Sequence, residues 1–152
     1  MDRMVIGSLL LVLGGGLLGC GRQGEFPVAP TKGVVLCEGK PVPYVMVFFE
    51  PLASGESGSS ALVGKQGFAV ADAEGRFVIS TYRDGDGAVV GKHRVRVGPP
   101  HPEDHPRFSC PCVLNPEVDV MEVEVVKGKV NEFQVVLARR TGREPRPLGY
   151  GN

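Results

Sequence analysis

The chain has 152 residues, with 17 basic and 17 acidic side chains, four cysteines and no tryptophan. This length is sufficient for one domain with a hydrophobic core and additional terminal segments. The balanced charge lacks the basic excess that nucleic-acid binding requires, so we expect no nucleic-acid partner. With only three tyrosines and no tryptophan, the chain is also poor in the aromatic side chains that a carbohydrate-binding surface needs.

The N-terminus has the layout of an export signal. Arg3 precedes an uncharged apolar run from Val5 to Leu18. The run has about 14 residues, which is shorter than the roughly 20 that a helix needs to cross the hydrocarbon core. We therefore predict a cleaved signal peptide over residues 1–19 rather than a permanent transmembrane helix.

The end of this apolar run resembles the lipobox of bacterial lipoproteins. The segment Leu17–Cys20 reads LLGC, with Leu18 where a small residue is usual. The resemblance implies that Cys20 becomes a lipidated N-terminus and that the domain lies in the periplasm or at the cell surface, anchored to a membrane of the cell envelope. Several acyl chains anchor a protein stably, where one is marginal. Residues 20–30 contain Gly and Pro without a period and are predicted to be a flexible tether.

From Thr31 to Leu137, short apolar segments alternate with turn signals. Val45–Phe49 is apolar at every position, which predicts a central strand covered on both faces. In Lys92–Val97 the basic residues alternate with His93 and two valines, which predicts a half-buried strand with a basic outer face. The seven predicted strands are Gly33–Cys37, Tyr44–Glu50, Gln66–Ala71, Arg76–Thr81, Lys92–Val97, Met121–Val125 and Val130–Leu137.

These strands, with no amphipathic helix after the signal, predict a seven-stranded antiparallel β-sandwich over residues 31–138. Between Gly98 and Pro116 the prolines predict a long irregular connection. Residues 139–152 are polar and basic and are predicted to be a disordered tail. The arginines of this tail are Arg139, Arg140, Arg143 and Arg146.

Three segments of the predicted sandwich are similar to carboxypeptidase regulatory-like domains. They are Gly33–Pro43, Ala71–Phe77 and Gly91–Val97, in the family's order, and His93 stands where the family commonly has tyrosine. The resemblance implies an immunoglobulin-like or transthyretin-like (prealbumin-like) sandwich with an accessory, non-enzymatic role and no cofactor. The Cys110–Cys112 segment departs from the family's pattern.

The cysteines other than Cys20 are Cys37, Cys110 and Cys112, and they are candidates for a disulfide. An oxidising compartment favours a bridge, and an odd number allows at most one pair. A bridge from Cys37 to Cys110 or Cys112 would tie the first strand to the long connection. A bridge between Cys110 and Cys112 would close a very small, strained ring. The spacing leaves the pairing open.

The long connection also contains His101 and His105. Together with Cys110 and Cys112 they make four residues, close together in sequence, of types that bind zinc or copper. Their spacing matches no defined zinc pattern, and prolines separate them, so no metal is favoured. The segment 84–87 has alternating aspartates but lacks the later glutamate of a calcium loop, which favours a glycine-rich loop.

No catalytic motif accompanies these features, so no catalytic residue is predicted. We expect a non-enzymatic, membrane-anchored envelope lipoprotein whose sandwich is a structural or protein-interaction module. Its partners would be the membrane, through the lipid, and an envelope protein of unknown identity. The alternative is a metal-binding or redox lipoprotein that uses the His101–Cys112 loop. The choice between the inner and outer membrane stays open.

Overall fold

The computed structural model describes residues 26–53 and 64–143. In these two ranges all regular structure is β-strand. No helix within them has the length and hydropathy needed to cross a membrane. The predicted signal peptide, Cys20, the start of the tether and the end of the tail lie outside the described residues.

Ten strands follow one another along the described part of the chain. Seven of them correspond to the predicted strands, and the three strands of two residues, β1, β3 and β7, were not predicted. The bounds are β1 (Val28–Ala29), β2 (Thr31–Cys37), β3 (Lys40–Pro41), β4 (Met46–Pro51), β5 (Gly67–Val70), β6 (Arg76–Val78), β7 (Ala88–Val89), β8 (Gly91–Gly98), β9 (Asn115–Val125) and β10 (Asn131–Leu137).

The strands form two four-stranded sheets, which confirms the predicted all-β sandwich. In the first sheet, β2 lies between β10 on one side and both β3 and β6 on the other. The second sheet has the order β5-β4-β8-β9, and all its pairs are antiparallel. The short strand β1, which lies within the predicted tether, pairs with β7, so regular structure begins before Thr31.

One strand pair differs from the predicted antiparallel arrangement. β2 and β10 run parallel, from Thr31 beside Asn131 to Cys37 beside Leu137. Parallel neighbours need a long connection, and here most of the domain lies between the two strands in sequence. Turn residues in the sequence indicate only which neighbouring strands form hairpins. They therefore did not indicate the pairing of β2 with β10, which are far apart in sequence.

Phe49 on β4 joins the two sheets at the centre of the core. Its ring is fully buried and lies 6.1 Å from the ring of Phe77 on β6 and 5.8 Å from that of Phe133 on β10. These centroid separations are typical of favourable aromatic pairs. The prediction that β4 is covered on both faces was wrong for its outer face, because Phe48 is only half-buried there, beside Phe68.

The buried face of β8 agrees with its sequence pattern. His93, Val95 and Val97 have no exposed surface, whereas Lys92 is exposed and the intervening arginines are half-buried. Successive side chains of a strand point to opposite faces, so the alternation in sequence becomes an alternation in burial. β8 therefore contributes a histidine to the core of the sandwich.

Gly33 on β2 leaves room for two aromatic rings. An added Cβ would lie 2.6 Å from the Cζ of Phe77 and would overlap the carbonyl oxygen of Phe133. Both phenylalanines contact Phe49, so the absence of a side chain at Gly33 allows the two sheets to pack around that ring.

Asp86 organises the loop between β6 and β7. Its Oδ1 accepts a hydrogen bond of 2.7 Å from the Thr81 backbone N–H, and its Oδ2 accepts bonds of 3.0 and 2.9 Å from those of Tyr82 and Arg83. An aspartate that accepts nearby backbone N–H groups stabilises a turn. The segment 84–87 thus has the structural role that the sequence favours, and the Asp86 carboxylate is already occupied.

Candidate functional site

The structure brings together the three cysteines at one end of the sandwich. Cys37 is the last residue of β2, and Cys110 and Cys112 lie in the long connection between β8 and β9. A disulfide joins Cys37 to Cys112, with 5.9 Å between their Cα atoms and a sequence separation of 75. Cys110 is a free, buried thiol. Of the pairings that the sequence leaves open, the structure has the Cys37–Cys112 pair.

The free thiol lies beside the disulfide. The Sγ atoms of Cys37, Cys110 and Cys112 all lie within 4.8 Å of one another, and all three side chains are buried. The Cys112 backbone N–H lies 3.4 Å from the Cys110 Sγ and donates a hydrogen bond to it. A thiol and a disulfide at this separation can exchange, and three reduced cysteines could share a soft metal ion. We call Cys37, Cys110 and Cys112 the cysteine cluster.

Residues after β10 hold the Cys112 segment in place. Cys112 and Arg139 form a β-bridge. The Arg140 backbone N–H donates to the Pro111 carbonyl oxygen at 2.9 Å, and the Arg140 Nε donates to the Cys112 carbonyl oxygen, also at 2.9 Å. Arg139 in turn forms an ion pair with Glu38 at 2.8 Å. The structure thus places two arginines of the predicted tail against the cysteine cluster.

The two histidines of the long connection lie apart from the cysteine cluster. His101 is exposed, and the ring of His105 stacks on Tyr44 with 4.1 Å between centroids and 11° between planes. In the described ranges, the cysteine cluster is the one group of three or more His, Cys, Asp or Glu side chains with metal-binding geometry, and it contains no histidine. The third member of the cluster is Cys37, which lies far away in sequence, and not one of the loop histidines.

His93 is the buried titratable group of the core. Its Nδ1 lies 3.0 Å from the Gly91 carbonyl oxygen, and its ring lies 5.9 Å from that of Phe49. Its Nε2 has no hydrogen-bond partner among the described residues. Burial lowers the pKa of His93 below its ordinary value, and the hydrogen bond to Gly91 opposes this shift. We infer a neutral structural histidine rather than a ligand.

Acidic residues neutralise the outer face of β8. Arg96 lies 2.7 Å from Asp119 on β9 and 3.0 Å from Glu50 on β4, and Arg94 contacts the same two carboxylates at 3.7 and 3.8 Å. The hydrogen bond to Asp119, aided by the charges of Glu50 and Asp119, raises the pKa of Arg96. The predicted basic face is therefore a mixed-charge cluster, because its acidic partners come from neighbouring strands.

Apolar side chains are exposed on the hairpin of β5 and β6, where the two sheets meet. Phe68 and Ser80 form a β-bridge, which places Val70 and Val78 opposite each other. These valines are 55% and 56% exposed, and both line an open groove of about 850 Å³. Charged side chains of the first sheet, together with Asp72 in the turn between β5 and β6, complete the groove walls: Lys32, Arg76 and Glu132.

Comparison of the chain with protein-family models, with curated proteins and with solved structures finds no match. The similarity to carboxypeptidase regulatory-like domains therefore stays a prediction from the sequence segments that suggest it.

Proposed function

We propose that this protein is an exported envelope lipoprotein, anchored to a membrane by lipid on Cys20, whose β-sandwich is a structural or protein-interaction module. The Cys37–Cys112 disulfide is the observation that carries the proposal. Disulfides persist in oxidising compartments such as the periplasm and the cell surface, and are rare in the cytosol. The buried disulfide in the domain and the predicted export signal before it favour the same compartment.

The resemblance to carboxypeptidase regulatory-like domains supports the non-enzymatic part of the proposal. In that family the domain is an accessory to catalytic modules. Val70 and Val78, exposed opposite each other on the β5–β6 hairpin, line an open groove that offers an apolar surface for a partner.

The lipid anchor is tested by intact mass and by metabolic labelling with a fatty-acid analogue in a bacterial host. We expect a mature chain that begins at Cys20, carries acyl groups and partitions with membranes. Cys20→Ser should abolish labelling and leave the unprocessed precursor. Cys110→Ser makes the same chemical change outside the signal region and should still be labelled. An unacylated wild-type chain would refute the anchor.

The interaction role is tested by photo-crosslinking in intact envelopes. A photoreactive residue replaces Val78 on the β5–β6 hairpin, and in a matched control it replaces Val130, which is 63% exposed in the turn between β9 and β10. We expect a discrete protein adduct from position 78 that is missing from position 130. The same adduct pattern from both positions, or no adduct from either, would contradict an interaction surface at this hairpin.

A second candidate function is soft-metal binding, because three sulfur atoms lie within 4.8 Å of one another in the cysteine cluster. After reduction of the disulfide by a dithiol, three thiolates could coordinate Cu(I) or Zn(II). The test is equilibrium dialysis of the reduced protein with either ion alone. Binding of one ion that is lost in Cys110→Ser, and retained when His101 and His105 are both changed to Ala, would support this function. Absence of binding would refute it.

A further inference from the structure

We propose that the cysteine cluster is a thiol–disulfide exchange site, in which the disulfide moves between the Cys37–Cys112 and Cys37–Cys110 pairs. This inference goes beyond the lipoprotein function and does not depend on the lipid anchor. Its basis is that the free Cys110 Sγ lies within 4.8 Å of both sulfur atoms of the existing disulfide.

The exchange is balanced without any external reagent. The Cys110 thiol loses its proton, and the resulting thiolate attacks the Sγ of Cys37. A Cys110–Cys37 bond forms as the Cys37–Cys112 bond breaks, and Cys112 leaves as a thiolate that takes up a proton. One disulfide and one thiol are present before and after, so no oxidant or reductant is consumed.

Cys37 is the sulfur atom that is shared in this reaction. Attack on Cys112 instead would produce a bridge between Cys110 and Cys112, which have one residue between them, and the small ring would be strained. Attack on Cys37 closes a large loop that resembles the existing one. The two pairings that include Cys37 therefore have comparable chain constraints.

The surroundings of the cluster favour an intramolecular reaction. All three side chains are buried, so the local thiol reaches the disulfide more readily than an external one does. Two donors place positive potential near the reacting sulfur atoms. The Cys112 N–H donates to the Cys110 Sγ, and the Arg140 guanidinium donates to the Cys112 carbonyl oxygen. Negative charge spreads over these atoms during exchange, so this potential stabilises the transition state.

The first test uses the wild-type full chain. The protein is incubated at about pH 8, where thiolates begin to form. Free thiols are trapped by rapid alkylation at successive times. Trypsin leaves both cysteines of the connection in one peptide, residues 108–127, and its fragment ions locate the alkylated residue. We expect alkylation at both Cys110 and Cys112, in a ratio that becomes constant with time.

The kinetics identify the reaction as intramolecular. Its rate should not change when the protein is diluted tenfold, and it should fall about tenfold for each unit of pH decrease while the thiol is mostly protonated. A rate proportional to protein concentration would overturn the proposal, because the exchange would then occur between molecules. Alkylation of Cys110 alone at every time would overturn it as well.

Substitutions provide the second test in a glutathione redox buffer. Cys112→Ser should form the Cys37–Cys110 disulfide, whereas Cys110→Ser should form Cys37–Cys112, so that neither of the remaining domain cysteines is free in either variant. Circular dichroism checks that each variant keeps its β-structure. A folded Cys112→Ser variant in which Cys37 and Cys110 both remain free thiols would overturn the proposal. Lipidation of Cys20 is measured separately, so this failure is distinguishable from that of the lipoprotein function.

Discussion

The imidazole Nδ1 of His93 lies 3.0 Å from the carbonyl oxygen of Gly91, two residues earlier on β8. A carbonyl oxygen only accepts hydrogen bonds, so Nδ1 carries the proton of the neutral ring. The ring is fully buried beside Phe49, and burial lowers its pKa more than the bond to Gly91 raises it. The core therefore contains a histidine that resists protonation.

This lowered pKa predicts that stability falls as the pH decreases. In the unfolded chain His93 binds a proton below its ordinary pKa of about 6.5, while in the folded protein it stays neutral to a lower pH. The unfolded state then binds more protons, so the free energy of unfolding decreases by at most about 1.4 kcal/mol per pH unit from this group. Above that pKa the group has no such effect.

Urea unfolding between about pH 5 and 8 measures this effect, because carboxylates contribute mainly below that range. The free energy of unfolding should rise more steeply with pH for wild type than for His93→Phe, whatever the absolute stability of the variant. His101→Ala, a change at an exposed histidine, should keep the wild-type slope. Equal slopes for wild type and His93→Phe would contradict a neutral buried His93.

Gly33→Ala should destabilise the fold. The added methyl group would overlap the Phe133 carbonyl oxygen and the Phe77 ring, and overpacking of this kind costs about 1–3 kcal/mol. Gly98→Ala is the matched control on β8, since its nearest neighbour would be the Cε of Met46 at 3.4 Å, an ordinary contact. That control should change stability by less than about 0.5 kcal/mol. Chemical denaturation measures both, and equal losses would refute the steric argument.

Cys37→Ser should cost more stability than Cys110→Ser. Loss of a bridge with a sequence separation of 75 frees a long loop in the unfolded state, which corresponds to about 4.5 kcal/mol in the chain-entropy description. Cys37 belongs to both proposed pairings, so Cys110 cannot compensate for its loss. Cys110→Ser keeps the Cys37–Cys112 bridge and should retain most of the stability. Unfolding of both variants without reductant, and again with a dithiol, measures the difference, which should disappear when the bridge is reduced.

Arg96 and Asp119 should show a small, salt-dependent coupling. Their 2.7 Å contact joins β8 to β9, but the two side chains remain 22% and 39% exposed, so solvent screens the attraction. A double-mutant cycle with Arg96→Gln and Asp119→Asn should give a coupling of about 0.5–1 kcal/mol that decreases in high salt. The comparison is the Lys32–Glu132 pair, whose charged groups are 3.8 Å apart and whose side chains are more exposed. This pair should couple more weakly. A stronger coupling for that exposed pair would contradict the geometric argument.

The sequence predicted the strands well where burial follows a local period. The alternation in Lys92–Val97 corresponds to the buried and half-buried residues of β8, because that pattern depends on the pleat of one strand. It did not predict β1, β3 or β7, since strands of two residues have no period. It placed the start of the last hairpin too late, because Asn115 and Pro116 resemble a loop but begin β9.

The candidate site was predictable only in its residue types. The sequence singled out Cys37, Cys110 and Cys112 as disulfide candidates that allow at most one pair, and His101 and His105 as further candidate ligands. It had no means of showing that His105 stacks on Tyr44, or that Arg139 and Arg140 hold the Cys112 segment. These contacts join parts of the chain far apart in sequence, and no local pattern encodes them.

The amino-acid sequence by itself determined the β-rich composition of the domain, the alternation of its buried faces and the odd number of cysteines, because each is a property of neighbouring residues or of a count. The tertiary structure decided the parallel pairing of β2 with β10, the choice of Cys37 and Cys112 as partners, and the position of Cys110 beside their disulfide. The reason is physical: these features depend on distances between residues that meet only when the two sheets pack around Phe49.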